Sequence, residues 1–118
     1  MKITFLCSSI SRAGGGIFEA EKCLALDLAR DPRFEVEIFG HTDPFTGTDY
    51  PAWSPLQPRH FPHIGPALFR YSPGLRDAFL ATPADLVHSH ALWMYNSVLL
   101  TRWARHSRRP YQIGRAHV

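Results

Sequence analysis

Two short stretches carry residues whose types and spacing could do chemistry. The first is Ser8 to Phe18, SSISRAGGGIF, in which Gly14, Gly15 and Gly16 stand together beside Arg12. A glycine run lets the backbone take positive φ and lets a ligand come close to it. It lies between an apolar opening run, Lys2 to Cys7, and an amphipathic run, Ile17 to Arg30. A helix starting after the glycines turns its first N–H groups and its positive dipole end back toward the loop. Strand, glycine loop and helix N-terminus together form a natural cradle for a phosphate or another anion. Arg12 either adds charge to that cradle or is an exposed structural arginine.

The second stretch is Asp85 to Trp93, DLVHSHALW. Alternation along a strand puts His88 and His90 on the same side. They fall toward its carboxyl end, which in an open α/β sheet is the edge where ligands bind. A histidine pair there could ligate zinc. No third Asp, Glu, Cys or His stands at a recognisable metal spacing nearby, so no metal is expected. His88, nearer the strand interior, reads as a packed core histidine, and His90 as lining a crevice. A (β/α)8 hydrolase with an H-x-H metal site is excluded by length, since that fold takes about 250 residues.

The elements that must position these stretches follow from the pattern. The chain has 118 residues, room for one compact domain. With 45% hydrophobic and 19% charged residues it can bury a core. A net charge of +3 is too mild for a nucleic-acid footprint. Cys7 and Cys23 are expected to be free, reduced and buried, in keeping with a cytoplasmic setting. Met1-Lys2 and the short run after them do not form a signal peptide. No run approaches the ~18 apolar residues of a transmembrane helix.

Lys2 to Ser8 is continuously apolar and predicts a strand buried on both faces. Ile17, Ala20, Leu24 and Leu28, with Cys23 beside them, predict the buried face of a helix that Asp31-Pro32 ends. Phe34 to Phe39 alternates apolar and acidic residues, a half-exposed strand that Gly40 stops. His41 to Gln57 holds four prolines or glycines and reads as a surface loop. Arg59 to Pro62 suggests a short third strand. Ser72-Pro73 is a helix start, with Leu75, Phe79 and Leu80 on its apolar face and its end near Thr82-Pro83. Ala84 to His90 predicts a buried parallel strand. Ala91 to Arg105 predicts a helix with Leu92, Tyr95, Leu99 and Trp103 on one stripe. Arg102, Arg105, Arg108 and Arg109 gather at its end, where cations suit the dipole. Arg109-Pro110-Tyr111 opens another strand. This alternation predicts an α/β class fold, a Rossmann-like doubly wound parallel sheet.

The glycine cradle is not a mononucleotide P-loop, because Ile17-Phe18 stand where lysine and a hydroxyl residue are required. A dinucleotide fingerprint matches at Gly14 and Gly16 but meets Glu19 at its sixth position. Asp43, just past the second strand, could hold a ribose. An NAD(P)-dependent dehydrogenase or epimerase half thus stays open. So do a plain structural turn and a non-catalytic flavodoxin-like binding domain.

The order of these pieces carries a resemblance. A first strand, SRAGGG before a helix, FEVEIFG, then DLVHSHALWMY, a helix and RRPY resemble the N-terminal domain of GT-B glycosyltransferases, family 4. The resemblance covers the chain to Tyr111. In that family glycine often follows the second histidine of the H-x-H element. Ala91 takes its place here, while Leu92-Trp93 match. The resemblance implies the N-terminal, acceptor-side half of a GT-B enzyme over residues 1–112, with the C-terminal donor domain absent. Gly14, Gly15, Gly16 and Arg12 would form the loop over the donor diphosphate. His90 and Trp93 would lie on the acceptor side. Implied partners are a nucleotide-sugar donor and a glycan, lipid or small-molecule acceptor, with no nucleic acid, no metal and no cofactor. Also implied are retention at the anomeric carbon and inactivity of the fragment alone. The cytoplasmic setting comes from the cysteines, and the cluster of Arg102, Arg105, Arg108 and Arg109 reads either as a solvated helix end, the commoner case, or as a patch that steers the domain to the inner face of a membrane or to an anionic acceptor. The catalytic residues are not assignable from this stretch. The histidine segment that the family carries on the next strand, and its donor-binding glutamates, are not in the sequence. Residues 113–118, IGRAHV, are what ATCGGAAGAGCACACGTC encodes. That string resembles a sequencing adapter, so they read as a non-native tail.

Overall fold

The computed structural model describes residues 1–65, 71–89, 95–107 and 111–113. Five strands form one parallel sheet: β1 (Lys2–Leu6), β2 (Glu35–His41), β3 (Arg59–Phe61), β4 (Leu86–Ser89) and β5 (Tyr111–Ile113). Their order across the sheet is β3-β2-β1-β4-β5. The order runs outward one way through β2 and β3 and the other way through β4 and β5. The switch point therefore falls between β1 and β4, as in Rossmann-like folds. The helices are α1 (Gly15–Ala29), α2 (Thr46–Asp49), α3 (Pro73–Ala81) and α4 (Tyr95–Ser107).

Strand alternation divides the core into two layers. Ile3, Phe5, Cys7 and Ile38 face one side and pack with Phe18 and Ala25 of α1 and with Trp53. Leu6, Phe39 and Val87 pack on the other with Leu75 and Phe79 of α3 and Leu99, Leu100 and Trp103 of α4. Phe39 meets Phe79 edge-on at 5.8 Å between centroids. Glu37 on β2 pairs with Lys2 at 2.8 Å and Arg59 at 3.5 Å, so its half-exposed carboxylate bridges strands on either side.

The expected start of α3 is present. Ser72 Oγ accepts from the Leu75 amide at 3.3 Å and also donates to the Pro62 carbonyl at 2.7 Å, and Pro73 occupies the first helical position. Three expectations need correction. β2 runs through Gly40 to His41. A Cβ at residue 40 would meet Ile10 Cγ2 at 2.6 Å, so this glycine marks a close approach within the strand rather than its end. Leu80 is exposed, and Leu75 and Phe79 alone carry the buried face of α3. The buried face of α1 is Phe18, Glu21 and Ala25, while Ala20, Cys23 and Leu24 are exposed and Ile17 and Leu28 half-buried. The helix is turned by about one residue, or 100°, from the apolar stripe. Glu21 can take a core position because the Cys7 thiol donates to its Oε2 at 2.8 Å.

α4 begins at Tyr95 among the described residues and ends at Ser107, beyond Arg105. Leu99 and Trp103 are buried as expected. Ile113 pairs in register with Ser89, and residues 114–118 lie outside the described residues.

Candidate functional site

The carboxyl edge of β1 leads into residues 7–16, and nearly every backbone turn there has a side chain behind it. Ser11 caps the short 3-10 turn Arg12–Gly14 by accepting from the Ala13 amide at 3.2 Å. The Gly14 amide donates to the Ser11 carbonyl at 2.9 Å. Gly15 adopts φ 59° and ψ −136°, a region open essentially to glycine alone, and redirects the chain into α1. Gly14 stands at the helix N-cap without a side-chain cap, and around Gly16 an added Cβ would meet nothing within 4 Å. The Gly15 amide donates to the Arg12 carbonyl, so the N–H groups left over at the start of this 15-residue helix begin at Gly16.

The segment after β2, which the sequence suggests is a surface loop, is instead a brace under this turn. Asp43 accepts from Ser9 Oγ at 2.7 Å and from Ser11 Oγ at 2.7 and 2.8 Å. The Phe45 amide donates to it at 2.9 Å, and its own amide donates to Thr46 Oγ1 at 2.9 Å. Partial burial alone would raise the Asp43 carboxyl, but the donors from Ser11, Ser9, Phe45 and Thr46 outweigh it and hold the group below its usual range. The Arg12 amide and Nε donate to Asp49 Oδ2 at 2.7 and 3.1 Å, and Nη2 donates to Oδ1 at 2.8 Å. Those Arg12 bonds pull the Asp49 carboxyl down to about 2. Trp53 is fully buried, and its Nε1 donates to the Ile10 carbonyl at 2.8 Å. Its ring meets Phe18 edge-on at 5.9 Å.

A second polar cluster ties the strand ends to α4. Asn96 Nδ2 donates to the Cys7 carbonyl at 3.1 Å. That carbonyl can only accept, so the amide orientation is fixed and Asn96 Oδ1 must accept from His41 Nε2, 2.8 Å away. His41 consequently carries its proton on Nε2. Both residues are fully buried. Asn96 and His41 were not legible as a pair, since they come together only when α4 lands over β1 and β2. The available signal was a histidine directly after a strand glycine and an asparagine early in an apolar helix.

Of the residues singled out from sequence, Gly14, Gly15, Gly16 and Arg12 are together on this edge. His88 is 7% exposed, with its ring 5.2 Å from that of Phe5, in agreement with a packing role. Ser89, the end of β4, is in register with Leu6, the end of β1. His90 and Trp93, and with them the expected acceptor side, lie outside the described residues. Asp43, the candidate ribose ligand, is committed to Ser9 and Ser11. Cys7 is free and buried as expected, while Cys23 is free but exposed. Burial first, and Glu21 second, push the Cys7 thiol well above its usual range. Among the described residues no three His, Cys, Asp or Glu side chains are grouped to hold a metal. Nor is any helix among them long and apolar enough to cross a membrane.

Compared with known proteins, the chain matches no family model and no curated sequence.

Proposed function

We propose that the chain is the acceptor-side half of a GT-B glycosyltransferase of family 4, which moves a sugar from a nucleotide-sugar donor to a glycan, lipid or small-molecule acceptor. The observation that carries the reading is the braced glycine turn on the carboxyl edge of β1, next to the switch point of a parallel sheet. Leaving of a nucleoside diphosphate builds negative charge. Preorganised backbone N–H groups at a helix start stabilise such charge without reorganising and without a metal. The brace supplies the preorganisation: Asp43, Asp49 and Trp53 fix residues 9–12 from below. A second domain closing over this edge would exclude water and protect the donor from hydrolysis. The nucleotide grip and the catalytic groups would come from that domain, so this stretch alone would bind but not turn over. A dinucleotide reading is weaker, since Asp43 already carries two serine hydroxyls.

The same reading puts the protein in the cytoplasm, against the inner face of a membrane. Arg102 and Arg105 are exposed on α4 and are suited to an anionic surface.

Amide NMR spectra of the chain, titrated with uridine and guanosine diphosphate sugars and separately with NADH, test the proposal. Shifts centred on residues 14–17 with the diphosphate sugars are expected. Equal or larger shifts with NADH, and none with the sugars, would sink it. The downstream gene sequence is an independent check: a second Rossmann half with a glutamate pair supports the reading, and a Tyr-x-x-x-Lys motif overturns it.

A further inference from the structure

Arg12 is the only cation between Ser8 and Phe18, and its charge is already taken. Asp49 holds it at three points: the backbone N–H, Nε and Nη2. The two partners are unequally placed. The arginine side chain is 56% exposed and that of Asp49 13%. The guanidinium is the exposed and movable partner, while Asp49 stays seated at the end of α2 with the Arg12 amide still donating to it. The guanidinium also lies 5.1 Å from the centre of the Phe45 ring, a second surface that holds it in the clasp.

We propose that Asp49 is an internal competitor for Arg12, holding the arm away from the glycine turn until a diphosphate draws it across. The inference rests on the diphosphate reading of that turn and adds its regulation. Because its carboxyl is held down to about 2, Asp49 is a charged competitor throughout the physiological range. A dianionic phosphate carries more charge than a carboxylate and accepts the same planar fork, so it can win the exchange. A singly charged anion gains little over Asp49. The clasp thus selects for phosphate esters and diphosphates against the carboxylates of the cell.

The test is a double-mutant cycle read by calorimetric titration with inorganic pyrophosphate at fixed ionic strength, using the parent chain, D49N, R12A and R12A/D49N. Asparagine keeps an oxygen for the Arg12 amide. D49N is expected to bind about three- to fivefold tighter than the parent, the size of one exposed ion pair released. The gain should vanish when Arg12 is absent. A gain of equal size in the R12A background would mean that Asp49 acts only as a nearby negative charge, and the inference falls. No gain at all also overturns it. Silence from all four proteins removes the diphosphate reading itself, and this inference with it. The Nε–H signal of Arg12 in the parent chain gives a check without mutation: pyrophosphate should shift it as the Asp49 bond breaks, and a signal that stays put while the turn amides shift rules the exchange out.

Discussion

The thiol of Cys7 donates to Oε2 of Glu21 across 2.8 Å inside the layer between β1 and α1. The bond goes with the rotation of α1 that buries Phe18 and Ala25. That rotation turns a charged residue toward the sheet and leaves Ala20, Cys23 and Leu24 outside. Glu21→Ala should strand the buried thiol and open a hole, at a cost of about 2–4 kcal/mol. Glu21→Gln keeps an acceptor and should cost less than half as much. Urea unfolding of both variants decides the matter; equal losses would mean that the bond contributes nothing beyond volume.

The two cysteines should differ sharply in reactivity. A thiol reacts as its thiolate, and burial with a neighbouring carboxyl pushes Cys7 away from that form. Cys23 is exposed. Ellman's reagent should therefore titrate one thiol in the folded chain and two in urea. Rapid reaction of both in buffer would contradict the packing described.

Asn96→Ala should remove the donor to the Cys7 carbonyl and the acceptor for His41 Nε2 in one step. An expected loss of about 2–3 kcal/mol follows from leaving buried groups without these bonds. Asn96→Asp is a sharper probe. It places a carboxylate oxygen against the Cys7 carbonyl and should destabilise more than alanine does at neutral pH. The opposite ranking, read by thermal unfolding, would mean that the acceptor kept for His41 Nε2 outweighs the repulsion at the Cys7 carbonyl.

Much of the fold is written locally and was legible for that reason. Ser72-Pro73 signals a helix start through groups three residues apart, and continuous apolar runs mark β1 and β4. The rotation of α1 was not legible, because the stripe of Ile17, Ala20, Leu24 and Leu28 is more apolar than the face actually buried. The thiol of Cys7, from outside the helix, is a partner that makes Glu21 acceptable in the core. The brace was hidden in the same way. Prolines and threonines around Asp43 and Asp49 read as a loop, and nothing local shows that these acids reach Ser9, Ser11 and Arg12. At the candidate site the glycine turn was legible and what holds it was not.

Acid should loosen the brace before it disturbs the core. The Asp49 carboxyl lies at about 2 in the folded chain against an ordinary 3.8, and Asp43 is lowered as well. Groups depressed in this way add stability above their unfolded value and lose it as pH falls through the folded one. Melting temperature should hold near neutral pH and fall from about pH 4 toward 2. The fall should be shallower in D49N, and an identical slope in the two proteins would refute the assignment.

Gly15→Ala should cost about 1–3 kcal/mol, because no other residue adopts its backbone angles without strain. Gly16→Ala meets open space and should be nearly neutral. Denaturation midpoints that place the two substitutions level would mean that the turn relaxes to accept a side chain.

The placing of β1 at the centre of the sheet has a consequence for synthesis. Ile3 pairs with Val36 on one side and with Leu86 on the other. Of the five described strands β1 leaves the ribosome first, yet it acquires its second neighbour only when β4 emerges. Until then one ladder of its backbone groups stands open beside Phe5 and Leu6. A nascent chain stalled ahead of Ser89 would leave that ladder of a central strand open to pairing with other chains nearby.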